Sequence, residues 1–369
     1  MVLGATATRQ REEIAQLCNS VSNPATDIET LFETVSRRLR TIVPYSGSTW
    51  FATDPSTLLA TRPVYIENIE AGHCTTFWHR EFLVQDTNLF ADLAREDVPA
   101  ATLYERTDGR PARSARYREF AAPQGYGDEL RAVLRLGRST WGVMALHRDK
   151  NAEPFSHIER DLVAGLTRPL AGALRSRVIR NATLAEGLPG GPGMLLFGPD
   201  SQLLSCNDDA RGWLAALPDE LNDEGIIPVP VYSVLSHARA IADGREVGRA
   251  RLRLLTRSGR WVLMHASAMN DSMTAVVIET AQANEIAPII VEAYELSPRE
   301  QQITQLVARG ANTTQMAQEL LLSTHTVRDY VKQVFEKVGV TSRGELVAKL
   351  FAEHYSPDLH AEPVPHAQI

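Results

Sequence analysis

No run of about 18 apolar residues occurs anywhere in this 369-residue chain, so no membrane-spanning helix is expected. The opening stretch, MVLGATATRQREEIAQL, lacks the apolar core of a secretory signal, and a cytoplasmic location without membrane contact is expected. The three cysteines, Cys18, Cys74 and Cys206, stand far apart and form neither a CxxC pair nor a zinc spacing. They read as reduced thiols. His73 and Cys74 with His79 come nearest to a metal or haem set, but scattered core and surface residues are the preferred reading. No GxxxxGK[ST] loop is present, which argues against an ATP-driven machine. The N-terminal half shows no alternating strand–helix pattern with an early acidic cluster, which disfavours a phosphate-receiving domain. Nor is there a nucleophile–base pair, a metal cluster or a cofactor fingerprint. An enzyme is not expected, and neither is a cofactor or a metal. No internal repeat is visible.

What is present exceeds one ordinary core, so two or three domains are expected. The net charge is −7 and unevenly spread. Residues 295–352 carry seven bases against six acids, a balance of +1 that leaves −8 for the rest. That asymmetry suits a nucleic-acid reader attached to an acidic body.

Along the chain, residues 1–25 form an extension with little apolar periodicity before Ile14 and Leu17. Thr26-Asp27-Ile28-Glu29 is a capping box that opens a helix carrying Leu31, Phe32, Val35, Leu39 and Ile42. STWFA around Trp50 and LLATRPVYI around Tyr65 read as strands. DELRAVLRL and TWGVMALHR read as a hairpin. A second capping box, Ser156-His157-Ile158-Glu159, starts a long helix with a stripe of Ile158, Leu162, Leu166, Leu170, Leu174 and Val178, kinked at Pro169. Two readings of that stripe stand open: a dimer-forming signalling helix, or a helix lying on its own sheet. GLPGGPG at 187–193 is a linker. Beyond it MLLFG pairs with QLLSC, a helix begins at Asn207, RLRLLT and WVLMHAS form a hairpin around Arg257-Ser258-Gly259-Arg260, and TAVVIET adds a strand. The composition is that of an α+β protein.

The C-terminal part is the most informative. Ser297-Pro298-Arg299-Glu300 combines a serine cap, a proline at the first helical position and a closing glutamate. Gly310 ends that helix. Asn312 and Gln315 cap a second helix with Met316, Ala317 and Leu320 as its apolar face, and Ser323 caps a third after a tight turn. In the third, Val327, Val331, Val334 and Val338 form the buried stripe, while Arg328, Asp329, Lys332, Gln333 and Glu336 share the opposite face. Gly339 ends it, and Leu346, Val347, Leu350 and Phe351 define a fourth. Short helices joined this closely make a helix-turn-helix, whose second member enters the major groove. Arg328 and Lys332, one turn apart, are placed to pair with guanine O6 and N7. Thr326 and Lys337 are placed for phosphate. A helical bundle that binds protein is the competing reading, kept alive by Asp329 and Glu336.

The stretch LSPREQQITQLVARGANTTQMAQELLLSTHTVRDYVKQVFEKVGVTSRGELVAKL resembles the DNA-binding domain of the LuxR family. The matched positions include Ser297 to Glu300, Gly310, Met316-Ala317, Leu320, Ser323, Thr326-Val327-Arg328, Lys337, Gly339-Val340, Ser342-Arg343 and Glu345-Leu346. The resemblance implies base reading by Arg328, Asp329 and Lys332, with Thr326, Gln333 and Lys337 in the same surface. It also implies a dimer contact from the fourth helix, falling on Glu345, Leu346, Lys349 and Leu350. Tyr330 stands where the family often has histidine. Residues 26–155 resemble a GAF sensor domain and residues 187–284 resemble a PAS domain, with 156–186 as connecting helix, 290–355 as DNA-binding domain and 356–369 as a disordered tail.

The expected architecture is therefore multidomain: an α+β GAF-like domain, an α+β PAS-like domain and an all-α four-helix LuxR-type helix-turn-helix. The implied partners are double-stranded DNA with inverted half-sites, a second copy of the chain, a small-molecule effector and RNA polymerase. The competing function is a ligand-independent dimeric platform that binds DNA or recruits protein. Trp50, Phe77, Trp78, Leu103 and Trp141 are candidate pocket residues, with ordinary core as the alternative. Arg131 is expected to pair with Asp128 or Glu129, and His147 and His265 are expected to be structural.

Overall fold

The computed structural model describes residues 2–21, 27–69, 74–180, 189–217, 227–270, 272–282, 285–286, 289, 294 and 296–347. The 356–369 tail, Lys349, Leu350, Phe351 and His73 lie outside the described residues, as does the side chain of Cys74.

The first unit comprises α1 (Val2–Ser20), α2 (Ile28–Ile42), β1 (Gly47–Thr53), β2 (Ala60–Glu67), α3 (Cys74–Leu83), α4 (Phe90–Leu93), β3 (Ala100–Thr102), α5 (Leu103–Arg106), β4 (Tyr126–Leu136), β5 (Ser139–Asp149) and α6 (His157–Arg180). Its strands form one antiparallel sheet in the order β2-β1-β5-β4-β3. Alternate side chains leave opposite faces of a strand. Trp50, Leu130, Met144 and Leu146 therefore enter the layer of α1, α2 and α6, while Phe51, Val133, Val143 and Ala145 enter a second core with Phe77, Trp78 and Phe90.

α2 starts where expected, but its cap is Asp27, whose carboxylate accepts from the Thr30 amide at 2.9 Å. The Ser156 box forms as read: the Ser156 amide donates to Glu159 at 2.8 Å and the Glu159 amide donates to Ser156 Oγ at 3.3 Å. Of the two readings of the α6 stripe, the structure supports the second. Leu162, Leu166, Leu170 and Leu174 are buried against the chain's own sheet and α1, so they present no free dimer seam. The helix runs on through Pro169. Proline has no N–H, which removes the helical donor of the Gly165 carbonyl. The Cys18 thiol of α1 lies 4.0 Å from that oxygen, so the N-terminal extension is a helix packed into the first unit.

The second unit comprises β6 (Gly193–Phe197), β7 (Leu203–Cys206), α7 (Asp208–Ala216), α8 (Val229–Ala242), β8 (Arg251–Leu255), β9 (Trp261–Asn270) and β10 (Met273–Thr280). Its antiparallel sheet has the order β7-β6-β10-β9-β8. Counted within each unit, both sheets follow the order 2-1-5-4-3. The sequence shows no repeat, yet the two units share one strand arrangement.

The units interlock. α3 packs on α8, and the Phe82 and His237 rings stand 5.2 Å apart. Leu59 of the first unit is buried in the second core, and Val229 of the second unit is buried in the first. Ser233 Oγ accepts from the Ala60 amide at 3.0 Å. A last apolar tract runs through Trp261, Leu263, Ile286, Ile289 and Leu296 into the C-terminal helices α9 (Pro298–Ala308), α10 (Thr313–Leu320), α11 (Thr324–Val338) and α12 (Arg343–Val347).

Candidate DNA-binding surface

The first three of these helices are started by the residues their sequence predicts. Ser297 Oγ accepts from the Glu300 amide at 3.3 Å and Glu300 accepts from the Ser297 amide at 2.6 Å. Asn312 Oδ1 accepts from the Gln315 amide at 2.9 Å and Gln315 returns the bond at 2.8 Å. Ser323 Oγ accepts from the Thr326 amide at 3.0 Å. Such caps satisfy amides that have no partner inside the helix. Between α10 and α11 the chain turns through Leu321, Leu322 and Ser323, with Leu321 in the left-handed region at φ 54°. Gly339 closes α11 at φ 69°.

Met316, Ala317, Val327, Val334 and Val338 are buried with Ile303 and Leu306, while Val331 and Leu320 are only half-buried. Burying the valine stripe turns the opposite face of α11 outward. Arg328, Asp329, Lys332, Gln333 and Glu336 are all exposed on it, and Thr326 is half-buried at its start. Two of these charges already have neighbours one turn away. Asp329 lies 3.0 Å from His325 Nδ1, and Lys332 lies 3.8 Å from Glu336. Arg328 has no ion pair among the described residues, so its guanidinium is presented undiminished.

Lys337, read as a phosphate contact, has a partner inside the module. Its ammonium donates to Glu300 Oε2 at 2.7 Å. Glu300 is buried and closes the cap of α9, so Lys337 ties the end of α11 to the start of α9. Burial alone would raise the Glu300 pKa, but the bonds from Lys337 and Ser297 hold it below the ordinary range. Of the fourth-helix residues read as a dimer contact, Lys349 and Leu350 lie outside the described residues. Leu346 is buried in its own bundle, and Glu345 accepts from the Thr341 amide at 2.7 Å. Arg343, which spacing alone did not single out, binds the Ala311 carbonyl at 2.9 Å and Thr313 Oγ1 at 3.0 Å, joining α12 to the start of α10.

Residues 294–350 match the family described as bacterial regulatory proteins, luxR family. Over 58 residues the chain is 41% identical to the transcriptional regulatory protein DesR of Bacillus subtilis (strain 168), a match covering 16% of this chain and 29% of DesR. Over 55 residues it is 33% identical to the spore germination protein GerE of the same organism, covering 15% of this chain and 74% of GerE. The chain belongs to the luxR family of bacterial regulatory proteins. The nitrate/nitrite response regulator protein NarL of Escherichia coli (strain K12) is 26% identical over 155 residues, covering 40% of this chain and 71% of NarL. The chain spans 29% of the length of DesR. The solved structure of Escherichia coli SdiA overlaps 94% of this chain and 97% of its own at 12% identity, with a TM-score of 0.34, too low to equate the folds.

Ahead of the luxR-family module, the five candidate pocket residues do not converge. Trp50 and Trp141 face the α1, α2 and α6 layer, whereas Phe77 and Trp78 lie across the sheet. Leu103 is buried at the start of α5. Alternation along β1 separates Trp50 from Phe51, and only Phe51 shares a core with Phe77 and Trp78.

The polar centre of that core is Arg131. Its guanidinium bonds Glu81 at 2.7 Å and Glu129 at 3.0 Å, and lies 4.3 Å from the Phe90 ring centre. Arg116 takes the other Glu129 oxygen at 2.7 Å. Burial alone would raise the Glu129 pKa, but the two guanidiniums hold it far below the carboxylate range. Asp128 takes no part in this network. Its oxygens accept from the Tyr104, Glu129 and Phe155 amides at 2.9, 2.8 and 2.9 Å, and burial still pushes its pKa up to about 6. His147 is buried beside Glu129, and burial lowers its pKa to about 4. His265 is half-exposed and lies 3.7 Å from Glu279.

Proposed function

We propose that the chain is a sequence-specific DNA-binding transcription regulator that works as a homodimer on inverted half-sites. One observation carries the reading: the face of α11 opposite its buried valines is exposed and offers Arg328, without an ion pair among the described residues, with Lys332 one turn on. A guanidinium so presented matches the O6 and N7 acceptors of guanine. The likeness to DesR, a transcriptional regulatory protein, falls on the same segment and supports it. The two interlocked sheets with helices on their faces support reading the N-terminal units as α+β sensors, GAF-like then PAS-like, that respond to a small molecule or a partner and govern the helix-turn-helix. RNA polymerase is the further contact such a regulator implies.

The test is selection of genomic fragments by the purified full-length protein at a fixed salt concentration, with Arg328→Ala/Lys332→Ala in parallel. The expected result is enrichment of an inverted repeat by the parent and its loss in the double variant. Equal enrichment by both proteins would remove α11 from base reading.

A further inference from the structure

A cleft of about 550 Å³ opens where the two sheet units meet. One wall is the 55–58 turn after β1 and the β4–β5 hairpin around Gly137 and Arg138, a second is α4 with Arg95, and the opposite side is closed by Phe82, His237 and Glu246. The size is that of a site for one small organic molecule.

Its charge runs against that of the protein. In a chain of net −7, the lining includes Arg95, Arg135 and Arg138 against Glu81 and Glu246. The charge of Glu81 is matched by Arg131 at 2.7 Å. Arg135 spends its hydrogen bonds on the Ala94 and Asp97 carbonyls, at 2.7 and 3.2 Å, which leaves its positive charge uncancelled. Arg95 has only a loose pairing with Asp92 at 3.7 Å, and Arg138 has no ion pair among the described residues.

Two polar groups in the lining also lack an internal partner. His237 is 8% exposed, and its Nδ1 is buried without a hydrogen bond to the described residues. Thr57 Oγ1 is in the same position. Buried polar atoms are nearly always satisfied, and these two are closed off from the cleft, so an occupant gains them only as the side chains turn toward it. Phe82, against which His237 packs, Leu58 and Ala91 give the same cleft an apolar side.

We propose that this cleft binds a small organic anion, its carboxylate or phosphate held by Arg138 and Arg95 and its apolar or aromatic body lying on Phe82 beside His237. The occupant touches both units at once. It also touches the turn that begins at Asp54, whose carboxylate bonds the Ser56 amide at 3.0 Å and the Arg253 guanidinium of the second unit at 2.7 Å. The site thus places an effector where it strengthens the join between the units. It names the ligand class for the sensor reading above, but its test involves no DNA, so either reading can fail without the other.

The experiment is calorimetric titration and thermal unfolding of the full chain with phenyl phosphate and with benzoate, using inorganic phosphate and benzyl alcohol as anion-only and neutral controls. Arg138→Glu, on an exposed hairpin, and His237→Phe, which keeps the ring against Phe82, are run alongside. Saturable binding of an aryl anion with a rise in Tm, weakened about tenfold or more by Arg138→Glu and severalfold by His237→Phe, is expected. Benzyl alcohol binding as tightly as the anions would overturn the proposal. So would equal binding by both variants, or no saturable binding of either aryl anion up to about 10 mM. Inorganic phosphate binding as tightly as phenyl phosphate would overturn the organic part of the assignment.

Discussion

Asp54 at the end of β1 and Arg253 in β8 form a two-pronged ion pair between the two sheets, with Nε–Oδ2 at 2.8 Å and Nη2–Oδ1 at 2.7 Å. Both side chains are buried, and the Arg253 amide adds a third bond to Asp54 at 2.9 Å. A buried carboxylate deprived of its guanidinium is left charged in a poorly solvating place, at a cost of about 3–5 kcal/mol. Arg253→Ala is therefore expected to lower Tm steeply and to split a single unfolding transition into two, as the units lose their common tie. Calorimetry of parent and variant checks this. A small loss with one transition intact would show that apolar interlocking through Leu59 and Val229 alone holds the units together.

Arg328 differs from its neighbours on α11 in having no ion pair among the described residues. If it reads a guanine through two hydrogen bonds, Arg328→Ala costs about 1–3 kcal/mol at the cognate base pair and far less on altered sites. Lys332→Ala should cost less, because Glu336 lies 3.8 Å away and competes for the ammonium. Gel-shift titrations on matched and single-base-altered operators measure the difference. An equal loss on every site would make Arg328 a phosphate contact instead.

The C-terminal helices were legible in the sequence because their signals are local. Ser297, Asn312 and Ser323 each announce a helix within a few residues, and the valine spacing of α11 names the outward face. The strands around Trp50 and the hairpin around Gly137 were legible as short runs of strand-favouring residues bounded by turn signals. Helix α8 was not. Its sequence VPVYSVLSHARAIA opens on a Val-Pro-Val run and is apolar on nearly all sides, because it lies between its own sheet and α3 and has no polar face to mark its period. The separation of the pocket candidates was not legible either. Trp50 and Phe51 are neighbours in sequence but lie on opposite sides of the sheet, and Asp54 meets Arg253 across 199 positions that no local pattern relates. The engagement of Lys337 depends in the same way on a helix 37 residues upstream.

Lys337 was read from the sequence as a phosphate contact, yet its ammonium is 2.7 Å from a carboxylate that is only 3% exposed. Removing it leaves Glu300 buried without its cation and weakens the cap of α9. Lys337→Ala is expected to destabilise the helix-turn-helix by about 1–3 kcal/mol, through loss of a charge-assisted bond at a partly exposed site. Glu300→Gln/Lys337→Ala should recover part of that, since the neutral amide no longer needs a cation. Thermal unfolding of the three proteins gives the stability terms, and the salt dependence of DNA binding gives the electrostatic one. A normal Tm with a salt slope flatter by about one unit would restore the phosphate role.

His147 supplies the pH dependence. It is buried in β5 with Tyr126 and Phe120 ring centres 5.0 and 6.3 Å away, and neither ring nitrogen has a hydrogen bond to the described residues. Burial lowers its pKa to about 4, with the guanidiniums of Arg131 and Arg116 adding to the effect and Glu129 opposing it. The unfolded chain holds its proton at about 6.5, so between the two values the unfolded state binds more protons. The contribution of His147 to stability is thus complete above pH 6.5 and lost as pH falls to about 4, an effect on the order of 3 kcal/mol. Asp128 works in the opposite direction over an overlapping range, because burial raises its pKa to about 6 and its protonation favours the folded state as pH falls. The two are separated by substitution. His147→Phe keeps a ring between Tyr126 and Phe120 and removes the titrating group, so the variant should gain stability relative to the parent as pH falls from 7 to 4.5, with the Asp128 effect common to both. Urea unfolding at a series of pH values measures the slope of each. Parallel curves for parent and variant would mean that His147 protonates without cost, and hence that it meets water or a partner when the fold opens locally.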